Sequence, residues 1–404
     1  MIELHSHKDL SRLKRLALSS QGLLQAKPFG SGLSGARKAI AHLGYVQIDT
    51  ISVVERAHHH VLHSRVPSFD PSMVNQLVVS GEVFEYWSHA AAFLPIDDFR
   101  FSLPYKNAIK SGQVHWYKNP DQKLMGQLLA RIRSEGPLRS RDVDAKNNNR
   151  KGGWWDWKPA KKALEQLYMQ GDLMVCGRES FQKTYDLTER VLPSHIDSAI
   201  PSMEEFAKHL IDQQLRCYGL VSIKSVTYLR RNIELRKAVK NLVEGGVAQG
   251  TLERIKIANG DVFFMRSGAL DRTPRLNNRL SILSPFDNSV IQRDRLKSLF
   301  EFDYQIECYV PELKRQYGYF CLPLLFRGEF IGRMDCKAHR KEGCLEIKSL
   351  YIEKTKIVDE LMMSAFVDAI DTFRIFQQCD SVVLSNISPK PLMQPFQAAL
   401  KTRY

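Results

Sequence analysis

The strongest constraint on the fold is a short-range pattern between residues 203 and 265. Apolar positions recur at helical spacing over 203–216, 222–229 and 233–243, and Gly245-Gly246 is expected to end the third helix. Directly behind them, 249–257 and 261–265 alternate apolar and polar residues on either side of Ala258-Asn259-Gly260, and Asn-Gly is a strong hairpin signal. Three helices closed by a hairpin describe a winged helix. The same order occurs upstream, with helices over 121–134, near Ser140 and over 159–170, then strands at 173–176 and 182–187. A less regular version opens the chain: helices over 8–18 and 34–42, an extended stretch over 45–50, and a strand pair around 85–94. The spacing of the three copies is too uneven for a solenoid.

From about residue 280 the texture changes to short apolar runs at 317–326, 330–335 and 344–352, which read as a small β unit, closed or partly open. A helix over 358–376, a strand at 381–384 and a basic segment over 390–404 complete the chain. The expected class is α+β: three tandem winged-helix units followed by a β-barrel-like domain. The boundaries read as 1–115, 116–200, 201–275 and 276–404, against about three units from length alone at roughly 150 residues each.

Charge says what such units hold. Lys and Arg number 58 against 44 Asp and Glu, a net charge of +14, so an anionic partner is expected, and nucleic acid is the commonest one. Between 216 and 240, Arg216, Lys224, Arg230, Arg231, Arg236, Lys237 and Lys240 face one acid, Glu234, across the helices that would dock in a groove. A solvated helix face is the duller account. A second basic stretch, 147–158, carries Arg150 and Lys151 among three tryptophans and continues to Lys161 and Lys162. Phosphate contact is expected of the cations, and core packing of at least two of the rings. No run approaches the roughly 18 apolar residues of a membrane span, and the amino terminus lacks the pattern of a secretory signal. A soluble cytoplasmic protein, held at the nucleoid through DNA, is expected. The seven cysteines form no Cys-x-x-Cys pair and read as reduced structural thiols.

Candidate chemistry is sparse. His58-His59-His60 and His63 put two imidazoles one helical turn apart, but no third ligand or adjacent base follows, so a helix facing DNA or solvent is preferred to a metal site. Walker, nucleophile-elbow and dinucleotide motifs are missing, and no cofactor is expected. There remains Gln47-Ile48-Asp49, where strand alternation sets carboxamide and carboxylate on one face. A carboxylate turned toward DNA repels phosphate and would need a purpose, such as steadying a cationic transition state. A half-exposed edge strand produces the same pattern.

The run Leu43-Gly44-Tyr45-Val46-Gln47-Ile48-Asp49-Thr50-Ile51, followed by Glu55-Arg56-Ala57-His58-His59-His60, resembles the winged-helix DNA glycosylases of the bacterial YcaQ or AlkX group, which unhook interstrand crosslinks. Glu85-Tyr86-Trp87-Ser88-His89-Ala90, Leu283-Ser284-Pro285-Phe286-Asp287-Asn288, Gln292-Arg293-Asp294-Arg295 and 304–311 look like that family as well. Asp at the third motif position marks this branch, since relatives carry a second Gln. Cys336 stands where relatives are expected to have Pro, which touches only a barrel turn.

The resemblance implies a concave DNA-binding surface and a monomeric enzyme that hydrolyses the N-glycosidic bond of N7-alkylated guanine in double-stranded DNA, crosslinks included. Asp49 and Gln47 would be catalytic, with Arg56 and His89 lining the site and Arg230, Arg231 and Lys237 on DNA. A crosslink ties two bases together and cannot enter a snug pocket, so an open, shallow site is expected. The rival from another class is a winged-helix transcriptional regulator that catalyses nothing. A metal-dependent nuclease using the histidines ranks last.

Overall fold

The computed structural model describes residues 2–4, 6–144, 157–179 and 181–403. Arg150, Lys151, Trp154 and Trp155 lie outside them. The architecture is mixed α+β, with three small sheets, each backed by helices, and a six-stranded sheet near the carboxy terminus.

The 203–265 pattern becomes helices Met203–Tyr218, Ile223–Val226 and Ile233–Ala248 and a hairpin of Leu252–Ile257 with Val262–Arg266. Ser202 and Glu205 form a capping box on the first helix, satisfying amides that a helix start leaves open. The third helix runs through Gly245-Gly246 to Ala248, contrary to the expected stop. The reason is packing: a side chain at Gly246 would collide with Leu252, so the glycine lets the hairpin close against the helix. Upstream, helices Gln122–Glu135, Ser140–Asp144 and Trp157–Met169 precede strands Leu173–Glu179 and Gln182–Leu187.

The amino terminus departs from the sequence reading. Ile2–Leu4 pairs in parallel with Leu252–Ile257, and Leu13 and Leu18 of helix His7–Ser20 share a core with Leu220, Ile255 and Met265. The first helix therefore packs on the third unit. The first unit proper begins at helix Gly32–Leu43 and continues through strand Val46–Gln47, helices Ala57–His63 and Ser72–Val79, and the hairpin Val83–Trp87 with Ala91–Pro95. It shares one core with the second unit, and buried Glu85 ties their hairpins by an ion pair to Arg178, 2.8 Å from its second oxygen.

The carboxy-terminal strands Leu280–Ile282, Cys321–Phe326, Glu329–His339, Cys344–Ile352 and Ser381–Leu384 form one sheet in that order, with Ile387–Ser388 also on Cys344–Ile352. Two bulges bend it, and it curls into a half barrel. Cys336 sits at one of these bulges in mid-strand, and not in a turn. Proline lacks an amide and is tolerated at such interruptions of the ladder. The basic segment 390–404 is partly folded: helix Met393–Lys401 buries Phe396 and Leu400 in the core under the sheet.

One buried ion pair fastens these parts. Arg65, just past the histidine helix, is fully buried and donates to both oxygens of Asp287 at 2.7 and 2.8 Å. Its Nε donates to the Gln21 carbonyl at 2.7 Å, and the Gln21 amide reaches the Cys217 carbonyl at 2.7 Å. Removing one partner strands the other charge in the interior, which costs about 3–5 kcal/mol. Asp287→Ala is expected to lose that much in urea denaturation, more than any exposed carboxylate substituted in parallel.

Candidate active site

The motif lies where two bodies meet. Helix Gly32–Leu43 ends at Gly44, whose φ of 77° turns the chain into the strand, and a side chain there would strike Gln213. Val46 and Gln47 pair with Phe93 and Ala92, and the Ile48 amide donates to the Ala91 carbonyl at 2.8 Å. The strand then stops, shorter than the expected 45–50. Asp49 Oδ1 accepts the Ile51 amide at 2.8 Å, an Asx turn that takes the chain off the sheet. Ile51, Val53 and Val54 pack into the carboxy-terminal core, and Val53 accepts the Ala338 amide at 2.8 Å. Asp49 is thus held between the first unit and the half barrel.

Its charge is poorly compensated. Asp49 is half-buried, forms no salt bridge among the described residues, and keeps one oxygen without a hydrogen bond. Burial raises its carboxyl above the usual range, and the Ile51 amide offsets only part of that. Its field reaches the loop before strand Cys321–Phe326. Burial first, then the Asp49 charge, push up the Cys308 thiol, and the same charge adds to the rise at Tyr309. Tyr309 is 77% exposed.

Gln47 is buried, and its carboxamide oxygen lies 3.0 Å from His89 Nε2. That oxygen only accepts, so the ring nitrogen carries the proton. Burial, reinforced by Arg230, lowers His89 to about 4, so the ring is neutral at pH 7. It sits edge-on to Tyr45 at 5.0 Å and 5.6 Å from Tyr228. The Gln47 amide nitrogen makes no hydrogen bond among the described residues. From behind, the Asn288 amide donates to the Tyr45 carbonyl at 3.0 Å, so the 283–288 motif holds the strand of Gln47 in place.

The other predicted residues scatter. Arg56 turns to the second unit, its guanidinium 4.4 Å over the Phe181 ring with a buried Nε lacking a partner among the described residues. Arg230 is half-buried beside His89, while Arg231, Arg236 and Lys237 are exposed without ion pairs among the described residues. Three cations of the same window have protein partners: Arg216 caps helix Gly32–Leu43 at the Ala41 and His42 carbonyls, Lys224 pairs with Asp294, and Lys240 pairs with Glu244 at 3.9 Å. Lys161 and Lys162 are exposed on helix Trp157–Met169.

The histidine helix does not face DNA or solvent. His60 bonds the Ile282 carbonyl at 2.9 Å, His63 stacks on Phe376 at 3.8 Å, and His59 holds Glu55 at 2.8 Å. Burial lowers His60 to about 4 and His63 to about 3, as expected of neutral rings in an interface. Among the described residues no three His, Cys, Asp or Glu side chains converge on a metal position. Tyr228, Cys308 and Tyr309 were not singled out by the sequence reading. Cys308 and Tyr309 fall inside 304–311, whose family likeness was their only signal.

The family model of the AlkZ-like DNA glycosylases matches residues 40–371, from the helix before the motif to the last long helix. The chain belongs to the AlkZ-like DNA glycosylase family. It is accordingly a DNA repair enzyme, and the reading as a regulator without catalysis falls. The DNA glycosylase AlkZ of Streptomyces sahachiroi has a similar fold, with a TM-score of 0.59 over 93% of this chain and 98% of that one at 14% identity. Among the described residues no helix is long and apolar enough to cross a membrane.

A raised carboxyl pKa means that the folded state binds the proton more tightly. Stability contributed by Asp49 is therefore lost as pH rises from the unfolded pKa through the folded one, and at pH 7 the ionised group is a net cost. Asp49→Asn keeps the bond to the Ile51 amide and removes the charge. It should raise the melting temperature at pH 7, and the gain should shrink in acid.

Proposed function

We propose that this glycosylase hydrolyses the bond between deoxyribose and N7-alkylated guanine in duplex DNA, bulky adducts and interstrand crosslinks included, and leaves an abasic site. The observation that carries the reading is a half-buried carboxylate with no counter-ion among the described residues, two residues from a carboxamide fixed by a neutral imidazole. The reading extends to architecture and setting: three winged-helix units and a barrel-derived domain, divided near residues 115, 200 and 275, working as a monomer on DNA in the cytoplasm.

Alkylation at N7 makes the purine cationic, so it departs with the glycosidic electron pair as a neutral base and needs little acid. The sugar left behind gains oxocarbenium character. Asp49 steadies that charge across a poorly solvated gap, where its Coulomb attraction is strongest. Water then adds to the anomeric carbon and gives its proton to Asp49, whose raised pKa makes it a better base than an ordinary aspartate. Gln47 orients the water or the sugar through its open amide. Arg231 and Lys237, exposed and without ion pairs among the described residues, neutralise phosphates, and Arg230 stands beside His89.

Asp49→Asn is expected to abolish alkali-revealed cleavage of duplex carrying N7-methylguanine or a nitrogen-mustard crosslink, with DNA affinity within about twofold of wild type. Activity at the wild-type level would remove Asp49 from the mechanism. Because the reaction needs ionised Asp49, kcat/KM should fall toward acid with a midpoint above the ~3.9 of a free aspartate. Lys237→Ala should weaken binding to all duplexes alike and reduce the salt slope by about 1.

A further inference from the structure

The hairpin of Val83–Trp87 with Ala91–Pro95 turns through Ser88, His89 and Ala90, and the backbone closes the turn by itself, the Ser88 amide donating to the Ala90 carbonyl at 2.9 Å. The His89 side chain is not needed for that closure. It reaches instead to Gln47, whose strand pairs with the second arm of the hairpin at Ala92 and Phe93. Two tyrosines restrict how the imidazole turns. Tyr45 of the first unit meets it edge-on at 5.0 Å, and Tyr228 of the third unit at 5.6 Å with the planes 64° apart.

A carboxamide has a donor end and an acceptor end, so whatever grips one end decides which end is presented. Held at its oxygen by the His89 N–H, Gln47 presents its amide. The surroundings favour the same sense. Ile48 packs on the core of the first two units, so Gln47 and Asp49 leave the extended segment on the opposite side. Turned round, Gln47 would bring its oxygen toward a half-buried carboxylate that has no counter-ion among the described residues. With the amide outward, the partial charges attract.

We propose that His89 is a positioning residue for the reaction: by holding the Gln47 oxygen it aims the carboxamide N–H at the oxygen of the attacking water. The assignment rests on the proposed function and assigns Gln47 to the water. A water gripped at its oxygen keeps both protons free, and one of them passes to Asp49. Its other lone pair forms the bond to the anomeric carbon while the glycosidic pair leaves with the guanine. Without His89 the carboxamide turns between two opposite senses, and in the wrong one its oxygen competes with Asp49 for the water's proton.

The test compares His89→Leu, which fills the space without a donor, with His89→Gln, which restores one. In single-turnover release of base from duplex carrying N7-methylguanine, His89→Leu is expected to be slower by about tenfold or more, with duplex affinity within about twofold of wild type. His89→Gln should recover most of the rate. A residue that merely supported the hairpin would show a lowered melting temperature and equal losses in both variants. Nitrogen-15 correlation spectra of histidine-labelled protein read the sense of the bond without turnover, and His89 should carry its proton on Nε2. The opposite tautomer, undiminished release by His89→Leu, or a His89→Gln as slow as His89→Leu would each overturn the assignment. A wild-type protein that releases no base would remove the proposed function and this step with it, whereas release that ignores His89 removes the step alone.

Discussion

The fully buried pair of Arg65 and Asp287 is the constraint on which the arrangement depends. It joins the end of the histidine helix to a segment more than two hundred residues away, and through Gln21 it reaches the last turn of helix Met203–Tyr218. A guanidinium in the interior has to be met by acceptors on every side, and here they come from the amino terminus, the first unit and the carboxy-terminal domain. Such a pair is weak evidence for added stability, because desolvation consumes most of the Coulomb gain. Its effect is geometric. Each body must stand where its acceptor is reached, and the next residue, Asn288, then falls into place on the Tyr45 carbonyl behind the strand that carries Gln47.

That placement explains how an aspartate acquires an unusual proton affinity in a strongly basic protein. The cations of the 216–240 window do not act on Asp49: Arg230 lies over the Phe206 ring beside His89, Arg216 and Lys224 are occupied by protein partners, and Arg231 and Lys237 are exposed to solvent. Asp49 meets mainly low-dielectric surroundings, so burial outweighs its single amide bond. The long-range field still attracts DNA while the short-range field leaves the carboxylate basic. Distance, not composition, separates the two effects.

Much of this was legible before any coordinates. Helical spacing and the Asn259-Gly260 turn located the helices and hairpins of the second and third units to within a few residues, because each is stabilised by near neighbours in the chain. The Gln47-Asp49 pair was legible through its motif. The misreadings share one cause. Helix His7–Ser20 was grouped with its neighbours in sequence, yet its apolar stripe found a partner beyond residue 220. The histidine helix reads as facing DNA or solvent, yet His60 and His63 are neutral and pack against the carboxy-terminal domain. Amphipathicity shows that a face will be covered and is silent about what covers it.

By itself, then, the sequence determined the local elements, the excess of positive charge, the Gln47-Ile48-Asp49 motif and the family, since these depend on periodicity, turn chemistry, net charge and short motifs. Only the tertiary structure decided that Asp49 has no counter-ion among the described residues, that His89 holds Gln47, and that Arg216 and Lys224 are taken up by protein partners. Those outcomes depend on groups far apart in the chain arriving within a few ångströms of one another. Desolvation and pairing act over just that range, and no pattern of neighbours along the chain encodes them.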